Sequence, residues 1–302
     1  MRLCRFGDNR LGLVQPAGEG VRIKDVTRAL EVLPSWRYPL PNFDPLIANL
    51  DLVRQKVDEI AADSPEVSLD NLKLLSPVAN PGKICAAPVN YQKHLDEVRA
   101  NADLHHGNKA HLAPIHSMGL FLKAPSSLAG AGEGIRVRHL DRRTDHEVEL
   151  AFVIGKRAHQ VPAAEALNYV AGYSIGLDIT IRGAEDRSFR KSPDTYTIVG
   201  PWLVTADEIA DPGSLDLSLT VNGETRQSSN TRNLILGVPQ LIEMASSFYT
   251  LHPGDIILTG TPEGVSPIVP ADQVEATIQN IGTLRVSVGA LESVPQAAAQ
   301  KT

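Results

Sequence analysis

An acidic alternation interrupts an apolar run at positions 145–150, which read Asp-His-Glu-Val-Glu-Leu. Because successive side chains of an extended strand point to opposite faces, Glu147 and Glu149 would project together on one side. Val148, Leu150 and Phe152 would then occupy the other side. The segment therefore predicts a strand that packs one face into a core and carries paired carboxylates on the other.

A third acid, Asp178, lies in a second apolar run at positions 176–180 that is also typical of a strand. Two carboxylates held side by side repel each other unless a cation lies between them. Three hard oxygen ligands would suit Mg²⁺ or Mn²⁺, and Ca²⁺ is a further candidate. The residues alone leave an alternative open, in which a solvated strand face pairs its acids with Arg142, Arg143 or Lys156.

Composition narrows the class of protein. The chain has 302 residues, 42% of them hydrophobic, so it can bury a full core and is long enough for about two domains. A formal net charge of -6 argues against nucleic-acid and anionic-membrane partners, which favour a basic surface. No stretch approaches the ~18 apolar residues of a membrane helix, and the start lacks a secretory apolar segment, so we expect a cytoplasmic protein. Cys4 and Cys85 are too few and too far apart to imply disulfides or a zinc site.

A stretch with two prolines and a closing Pro-Gly at positions 75–82 predicts a domain boundary, because it cannot continue a helix or a central strand. Residues 1–75 would form a small N-terminal domain of strands with one helix at 46–62. Residues 83–289 would form the larger domain, and residues 290–302 a flexible tail.

Strands dominate the larger region, where they are expected at 83–87, 134–138, 147–154, 172–181, 215–221, 255–259, 274–278 and 283–288. An Asn-Gly pair at 222–223 predicts a two-residue hairpin turn. Helices are few: one is expected at 162–168, and another at 233–248 that Pro239 would bend or split. These elements predict a mainly β protein with some α, of the α+β class.

A second constellation pairs His94 with Glu97, three residues apart and therefore on one face of a short helix. A carboxylate beside an imidazole orients the ring and raises its basicity, which suits a general base that activates water. From these two residues alone, an ordinary pair on a helix surface is the favoured interpretation.

Several motifs follow one another in a specific order: Asn-Tyr-x-x-His-x-x-Glu at 90–97, Phe-Leu-Lys at 121–123, Glu-Val-Glu-Leu at 147–150, Asp-Ile-Thr-Ile-Arg at 178–182, Lys-x-x-Asp-Thr at 191–195, Gly-Pro-Trp-Leu-Val-Thr at 200–205, and Pro-Gly-Asp-Ile-Ile-Leu-Thr-Gly-Thr-Pro-Glu-Gly-Val at 253–265. In this order and spacing the chain resembles the fumarylacetoacetate hydrolase family over residues 83–288. The resemblance implies a rolled, mixed β-sheet catalytic domain, usually assembled as a homodimer or a higher homo-oligomer.

The resemblance also implies roles for the two constellations. A catalytic divalent metal would be held by Glu147, Glu149 and Asp178. The dyad of His94 and Glu97 would lie on a lid that closes over the substrate and would act as the catalytic base.

Five further positions are candidates for the same site. Lys191 offers a compact cation for an oxyanion, and Arg182 could clamp a carboxylate bidentately, although ordinary surface charge is the alternative for both. Thr261 could present its hydroxyl to an anionic substrate group, or simply form a tight turn. Tyr91 could line the pocket, with core packing as its alternative. Glu185 stands where the resemblance implies a substrate-contacting Gln, so an acid replaces an amide there.

One segment departs from the pattern, because the chain between positions 97 and 119 is longer than the resemblance implies. It carries four histidines, at positions 105, 106, 111 and 116. Their spacing matches no standard metal site, so lid or subunit-contact material is the favoured interpretation.

The resemblance implies a divalent-metal-dependent hydrolase that cleaves a C–C bond in 1,3-dicarbonyl acids of acylpyruvate or fumarylpyruvate type, in catabolism. The expected partner is a small keto acid. The alternatives are a metal-dependent decarboxylase or a double-bond isomerase of the same family, because one enolate serves all three outcomes. A catalytically silent keto-acid-binding protein is a hypothesis from another class, and the presence of every candidate catalytic residue argues against it.

Overall fold

The computed structural model describes residues 1–18, 20–69, 72–106 and 113–291. Within them the α-helices are α1 (Pro45–Ala48), α2 (Leu50–Ile60), α3 (Gln92–Ala100), α4 (Ala102–His105), α5 (Ile115–Met118), α6 (Arg187–Arg190) and α7 (Val238–Phe248). The strands are β1 (Arg2–Phe6), β2 (Arg10–Ala17), β3 (Gly20–Asp25), β4 (Glu66–Val67), β5 (Leu74–Leu75), β6 (Ile84–Ala86), β7 (Phe121–Lys123), β8 (Leu128–Ala129), β9 (Ile135–Val137), β10 (Thr144–His146), β11 (Val148–Ile154), β12 (Val170–Asp178), β13 (Thr180–Ile181), β14 (Thr197–Thr205), β15 (Asp216–Val221), β16 (Glu224–Asn230), β17 (Ile256–Leu258), β18 (Ser266–Pro267), β19 (Gln273–Ile278) and β20 (Gly282–Ala290). Strands outweigh helices, so the predicted α+β class is confirmed. None of the described helices is both long enough and apolar enough to cross a membrane.

The largest sheet runs in the order β4-β3-β2-β1-β14-β12-β11-β17-β6-β7, with β5 beside β1 and β8 beside β14. Most neighbours are antiparallel, but β17 pairs with β6 and β14 pairs with β8 in parallel, so the sheet is mixed, as predicted. A second sheet runs β16-β15-β19-β20-β9, and a small third one runs β13-β10-β18. The central pair of the large sheet, β11 and β12, carries the acidic motifs.

Strand β11 is buried on both faces. Leu150 and Phe152 belong to the main apolar core, whereas Ala151 and Val153 pack into a second core on the other side of the sheet. The alternation predicted from the sequence is therefore confirmed, since alternate residues enter different layers. The competing idea of a solvated strand face is wrong for this strand, because every one of its residues is buried.

The N-terminal residues extend the large sheet. Strand β1 pairs with β14, where Leu3 lies opposite Leu203. The same region also has a small core of its own, to which Leu11, Val53 and Val57 contribute. Independent folding of residues 1–75 stays a prediction, as does the flexible tail at 290–302, of which residues 292–302 lie outside the described ones.

Several predicted elements differ in detail from the structure. The helix expected at 46–62 is interrupted at Asn49, which separates α1 from α2. The helix expected at 233–248 begins only at Val238, and Pro239 lies in its first turn rather than at a bend, because a missing N–H costs nothing there. The segment at 162–168 forms a 3₁₀ helix, Ala163–Tyr169. The Asn-Gly hairpin is confirmed, with φ of 52° at Asn222 and 80° at Gly223.

The cysteines are single buried thiols. Cys4 and Cys85 are both free and both buried. Burial raises the pKa of each thiol to about 12, so both stay protonated at neutral pH. The prediction that neither forms a disulfide is confirmed.

Candidate active site

Three carboxylates meet at one end of the β11–β12 pair. Glu147 directly precedes β11, Glu149 lies within it, and Asp178 is the last residue of β12. The antiparallel register places Val148 opposite Leu177, and the Asp178 N–H donates to the Glu147 carbonyl at 2.9 Å. One oxygen of each carboxylate lies within 4.8 Å of the others, and all three residues are buried. The structure thus brings the predicted metal ligands together.

Basic residues orient two of these carboxylates. Lys191 Nζ donates to Glu147 Oε2 at 2.7 Å and to Asp178 Oδ2 at 2.6 Å. Arg182 Nη2 donates to the other oxygen of Glu147 at 2.9 Å, and Lys123 Nζ donates to the other oxygen of Asp178. Burial alone would raise the pKa of Glu147, but Lys191 and Arg182 hold it below its usual range. Both carboxylates are therefore paired with cations and fixed in direction.

Glu149 lacks such a cationic partner among the described residues. Its Oε2 accepts the N–H of Gly260 at 2.6 Å. Gly260 has a φ of +94°, and a Cβ there would lie 2.7 Å from Asn90 Cβ, so only glycine places this N–H at the carboxylate. Burial, and then the Asp178 carboxylate, raise the pKa of Glu149 well above its usual value.

The donor set fits a hard divalent cation. Three buried carboxylates converge, and the one without a cationic partner is destabilised as an anion by its neighbours. Mg²⁺ and Mn²⁺ prefer such oxygen ligands, and a bound cation would remove the repulsion. The alternative partners considered from the sequence lie elsewhere: Arg143 pairs with Asp145, and Arg142 with Glu185.

The predicted dyad is formed on α3. His94 Nδ1 lies 2.8 Å from Glu97 Oε2, and the other oxygen of Glu97 accepts the Gly264 N–H at 3.1 Å. When Nδ1 donates to the carboxylate, Nε2 is the basic nitrogen of the ring. His94 is only 4% exposed and lines a cavity, so the favoured interpretation from the two residues alone, a helix-surface pair, is wrong.

That cavity joins the two constellations. Its wall includes His94, Glu147, Glu149 and Thr261 together with four basic residues, Arg182, Arg187, Arg190 and Lys191. Phe121 and Leu104 contribute apolar surface to the same wall. A metal-bound anion and a general base could therefore act on one molecule in this space.

Thr261 is part of a buried polar network that supports β11. Its hydroxyl donates to the Val148 carbonyl at 2.9 Å and accepts from Gln227 Nε2 at 2.8 Å. Gln227 Oε1 in turn accepts the Val148 N–H at 3.1 Å and contacts His146 Nδ1 at 3.0 Å. This network ties β16 and the turn after β17 to the strand that carries the metal ligands.

Two candidates from the sequence lie apart from this cavity wall. Tyr91 is 1% exposed, and its hydroxyl has no hydrogen-bond partner in the described part of the chain. Glu185 makes two hydrogen bonds of 2.8 Å to Arg142, with its side chain 40% exposed. A contact of either residue with substrate stays a prediction.

The histidine-rich segment is only partly described. His105 ends α4, His106 follows with a φ of 47°, and His116 lies in α5. His111 lies outside the described residues. In the described ranges, the triad of carboxylates is the one group with metal-ligand geometry.

The comparisons with known proteins agree with this geometry. The family model "Fumarylacetoacetate (FAA) hydrolase C-terminal" matches residues 83–289. A maleylpyruvate hydrolase of Aquipseudomonas alcaligenes is 58% identical over 288 residues, which make up 95% of this chain and 99% of that protein. The crystal structure of maleylpyruvate hydrolase from Sphingobium sp. SYK-6 in complex with manganese (II) ion and pyruvate has 37% identity and a TM-score of 0.79, covering 96% of this chain and 99% of that one.

A relative with another activity also matches. The crystal structure of 5-carboxymethyl-2-hydroxymuconate delta-isomerase from Mycobacterium smegmatis has 30% identity and a TM-score of 0.68, covering 96% of this chain and 100% of that one.

The family model, the identities and the buried carboxylate triad lead to one conclusion: the chain belongs to the fumarylacetoacetate hydrolase family, as its motifs predicted.

Proposed function

We propose that this protein is a divalent-metal-dependent hydrolase that cleaves a C–C bond in 1,3-dicarbonyl acids of acylpyruvate or fumarylpyruvate type. The observation that carries the proposal is the shared cavity, whose wall contains His94, the imidazole of the His94–Glu97 dyad, together with Glu147 and Glu149. The similarity to two maleylpyruvate hydrolases, one of them seen with manganese and pyruvate, supports the same reaction.

The metal is Mg²⁺ or Mn²⁺, held by Glu147, Glu149 and Asp178. When bound, it would supply Lewis-acid polarisation of the keto-acid oxygens. Lys191 and Arg182 fix the direction of two of these ligands, Glu147 and Asp178, through hydrogen bonds. A preformed ligand set of this kind limits the reorganisation that binding requires.

The chain's own residues perform the proton transfers. His94 Nε2 would accept a proton from water, with Glu97 stabilising the charged imidazole, and the hydroxide would add to the carbonyl carbon distal to the keto acid. The bond from that carbon to the methylene group then breaks, and its electron pair passes to the pyruvate fragment as an enolate. The ammonium of Lys191 would help to stabilise the developing negative charge, and protonation of the methylene carbon would give pyruvate.

The experiment is a panel of acylpyruvates, followed by loss of enol absorbance in EDTA and after Mg²⁺ or Mn²⁺ is restored. We expect turnover only with metal, and almost none in the Glu147→Gln variant. The matched control is Glu275→Gln, since Glu275 is a partly exposed carboxylate that pairs with Arg285 across β19 and β20, in a different sheet from the metal ligands. Unchanged absorbance across the panel in the metal-loaded wild type would instead indicate a keto-acid-binding protein without this activity.

Assembly and location complete the proposal. A homodimer or higher homo-oligomer is proposed on the grounds of the family, and light scattering would measure its mass.

A cytoplasmic location accords with two free, buried thiols, which suit a reducing compartment. Catabolism of aromatic compounds accords with the maleylpyruvate hydrolases to which the chain is similar.

A further inference from the structure

Two of the four basic residues on the cavity wall are already neutralised by protein carboxylates. Lys191 bridges Glu147 and Asp178, and Arg182 contacts Glu147 and Asp145. These two cations are therefore committed to holding the metal ligands. The other two, Arg187 and Arg190, have no ion pair in the described part of the chain.

Arg190 is a buried cation with almost no partner. The residue is 4% exposed, its Nη1 donates to the Ile181 carbonyl at a long 3.3 Å, and its buried Nε has no hydrogen-bond partner among the described residues. Burial, and then Arg182 and Arg187, lower its pKa to about 10, so it stays charged at neutral pH. An unpaired buried charge is costly, which indicates that a ligand completes this site.

Arg187 lies one helical turn earlier, on the same face of α6. Its guanidinium contacts Met118 Sδ at 3.8 Å and lies 5.6 Å from the ring centroid of Phe121. A sulfur and an aromatic face orient the cation without neutralising it. The Phe121 ring also lies 5.5 Å from Lys191 Nζ, so it connects the arginine pair with the carboxylate triad.

We propose that Arg187 and Arg190 bind a second carboxylate of the substrate, at the end opposite the keto acid. The protein would thereby select acylpyruvates that are diacids over those with an uncharged acyl group. Two guanidinium groups with free N–H donors match the planar geometry of a carboxylate. The keto-acid end is assigned to the metal that the carboxylate triad would hold, which leaves Arg187 and Arg190 for the other end of the substrate. This inference rests on the proposed function and specifies its substrate.

The test compares two substrates in two variants. Maleylpyruvate carries the second carboxylate, and acetylpyruvate has a methyl group in its place. In Arg187→Gln and in Arg190→Gln we expect kcat/KM for maleylpyruvate to fall about 10- to 100-fold, the range for loss of a charged hydrogen bond, with acetylpyruvate little changed. Arg190→Lys should recover part of the lost kcat/KM for maleylpyruvate, because lysine restores the positive charge but not the planar guanidinium that can make two parallel hydrogen bonds.

The matched control is Arg138→Gln, because Arg138 pairs with the exposed Asp194. Equal losses on both substrates, or no loss on maleylpyruvate, would overturn the assignment of Arg187 and Arg190. If the wild type hydrolysed neither substrate, the proposed function itself would fail, so the two failures are distinguishable.

A binding measurement provides a readout that does not depend on turnover. Calorimetric titration of the metal-free protein in EDTA should show maleate binding to the wild type. Arg187 is half-buried, so the Arg187→Gln variant should fold. Its affinity for maleate should fall at least about tenfold. Crotonate, with one carboxylate and a methyl group, should bind more weakly than maleate. Equal maleate affinity in wild type and variant, or no maleate binding to the wild type, would contradict the proposal.

Discussion

His94 Nδ1 lies 2.8 Å from a carboxylate oxygen of Glu97 on one face of α3, and His94 lines a cavity whose wall also contains two metal-ligand candidates. The Gly264 N–H fixes the second oxygen of Glu97, so the carboxylate cannot turn away from the ring. This pair is the one feature of the site that favours attack by water over simple rearrangement of the substrate.

Removal of His94 should slow the chemical step more than it weakens binding. We expect kcat to fall about 10²–10⁴-fold in His94→Ala, the usual effect of losing a general base, with a smaller change in KM. Glu97→Gln should act in the same direction but more mildly. Asp96→Asn, an exposed acid on the same helix, is the control. Full kcat in His94→Ala would contradict this role of His94 and would favour decarboxylation or isomerisation as the reaction.

Loss of one metal ligand should abolish metal retention while the fold persists. In Glu149→Gln we expect Mn²⁺ affinity to fall at least about 100-fold and turnover to fall with it. The metal-free variant should be no less stable than the wild type, because a neutral amide replaces a carboxylate whose pKa burial and Asp178 raise. Elemental analysis and thermal unfolding in EDTA measure both effects. Wild-type Mn²⁺ affinity in this variant would contradict the metal site.

The network around Gln227 should matter for both stability and rate. Gln227→Leu keeps the volume but removes the hydrogen bonds that Gln227 makes with the Val148 N–H, the Pro262 carbonyl, the Thr261 hydroxyl and His146 Nδ1. Buried unsatisfied groups of this kind cost ~1–3 kcal/mol each, so we expect unfolding to become easier by about 2–5 kcal/mol and kcat to fall. Denaturant unfolding measures the first effect. The control is Ser228→Ala, at the next position of β16. Equal stability of the two variants would exclude a role of Gln227 in supporting β11.

Helices α3 and α4 should become protected when a keto-acid mimic binds. Among the described residues, Val98 and Leu104 form a small hydrophobic cluster with Val265 that is separate from the main core, so this segment is weakly anchored over the cavity. Lids of this kind exclude bulk water during reaction. Hydrogen exchange with and without oxalate and Mn²⁺ would measure the change over residues 94–106 and 113–118. Strong protection in both states would identify the segment as a permanent part of the wall.

The Glu147–Glu149 pair and the His94–Glu97 dyad could be predicted because each depends on a short-range periodicity, whereas the placement of Asp178 in the same site and the roles of all five residues came from the family resemblance. Two-residue alternation places Glu147 beside Glu149 in any strand, and three-residue spacing places His94 beside Glu97 in any helix. The resemblance had already made both pairs site candidates, and the structure adds the burial of His94, Glu147 and Glu149. That information lies in the pairing of β11 with β12 and not in either segment alone.

The supporting residues could not be predicted, since their roles arise from contacts across the sheets. Lys123 reaches Asp178 from β7, and Gln227 reaches Val148 from β16. Arg187 and Arg190 differ from surface arginines in their burial and in lacking an acidic partner within the described ranges, and no local pattern reveals either property. Strand β14 was not expected either, because Gly200 and Pro201 argue against a central strand.

Product identification under metal-loaded conditions tests the central claim most directly. Maleylpyruvate would be incubated with the Mn²⁺-loaded protein, and the mixture followed by proton NMR with enzymatic determination of pyruvate. Hydrolysis predicts pyruvate and maleate in equal amounts, with one oxygen from labelled water in the maleate. Carbon dioxide release, or an isomer of the substrate that retains all its carbon atoms in one molecule, would contradict it.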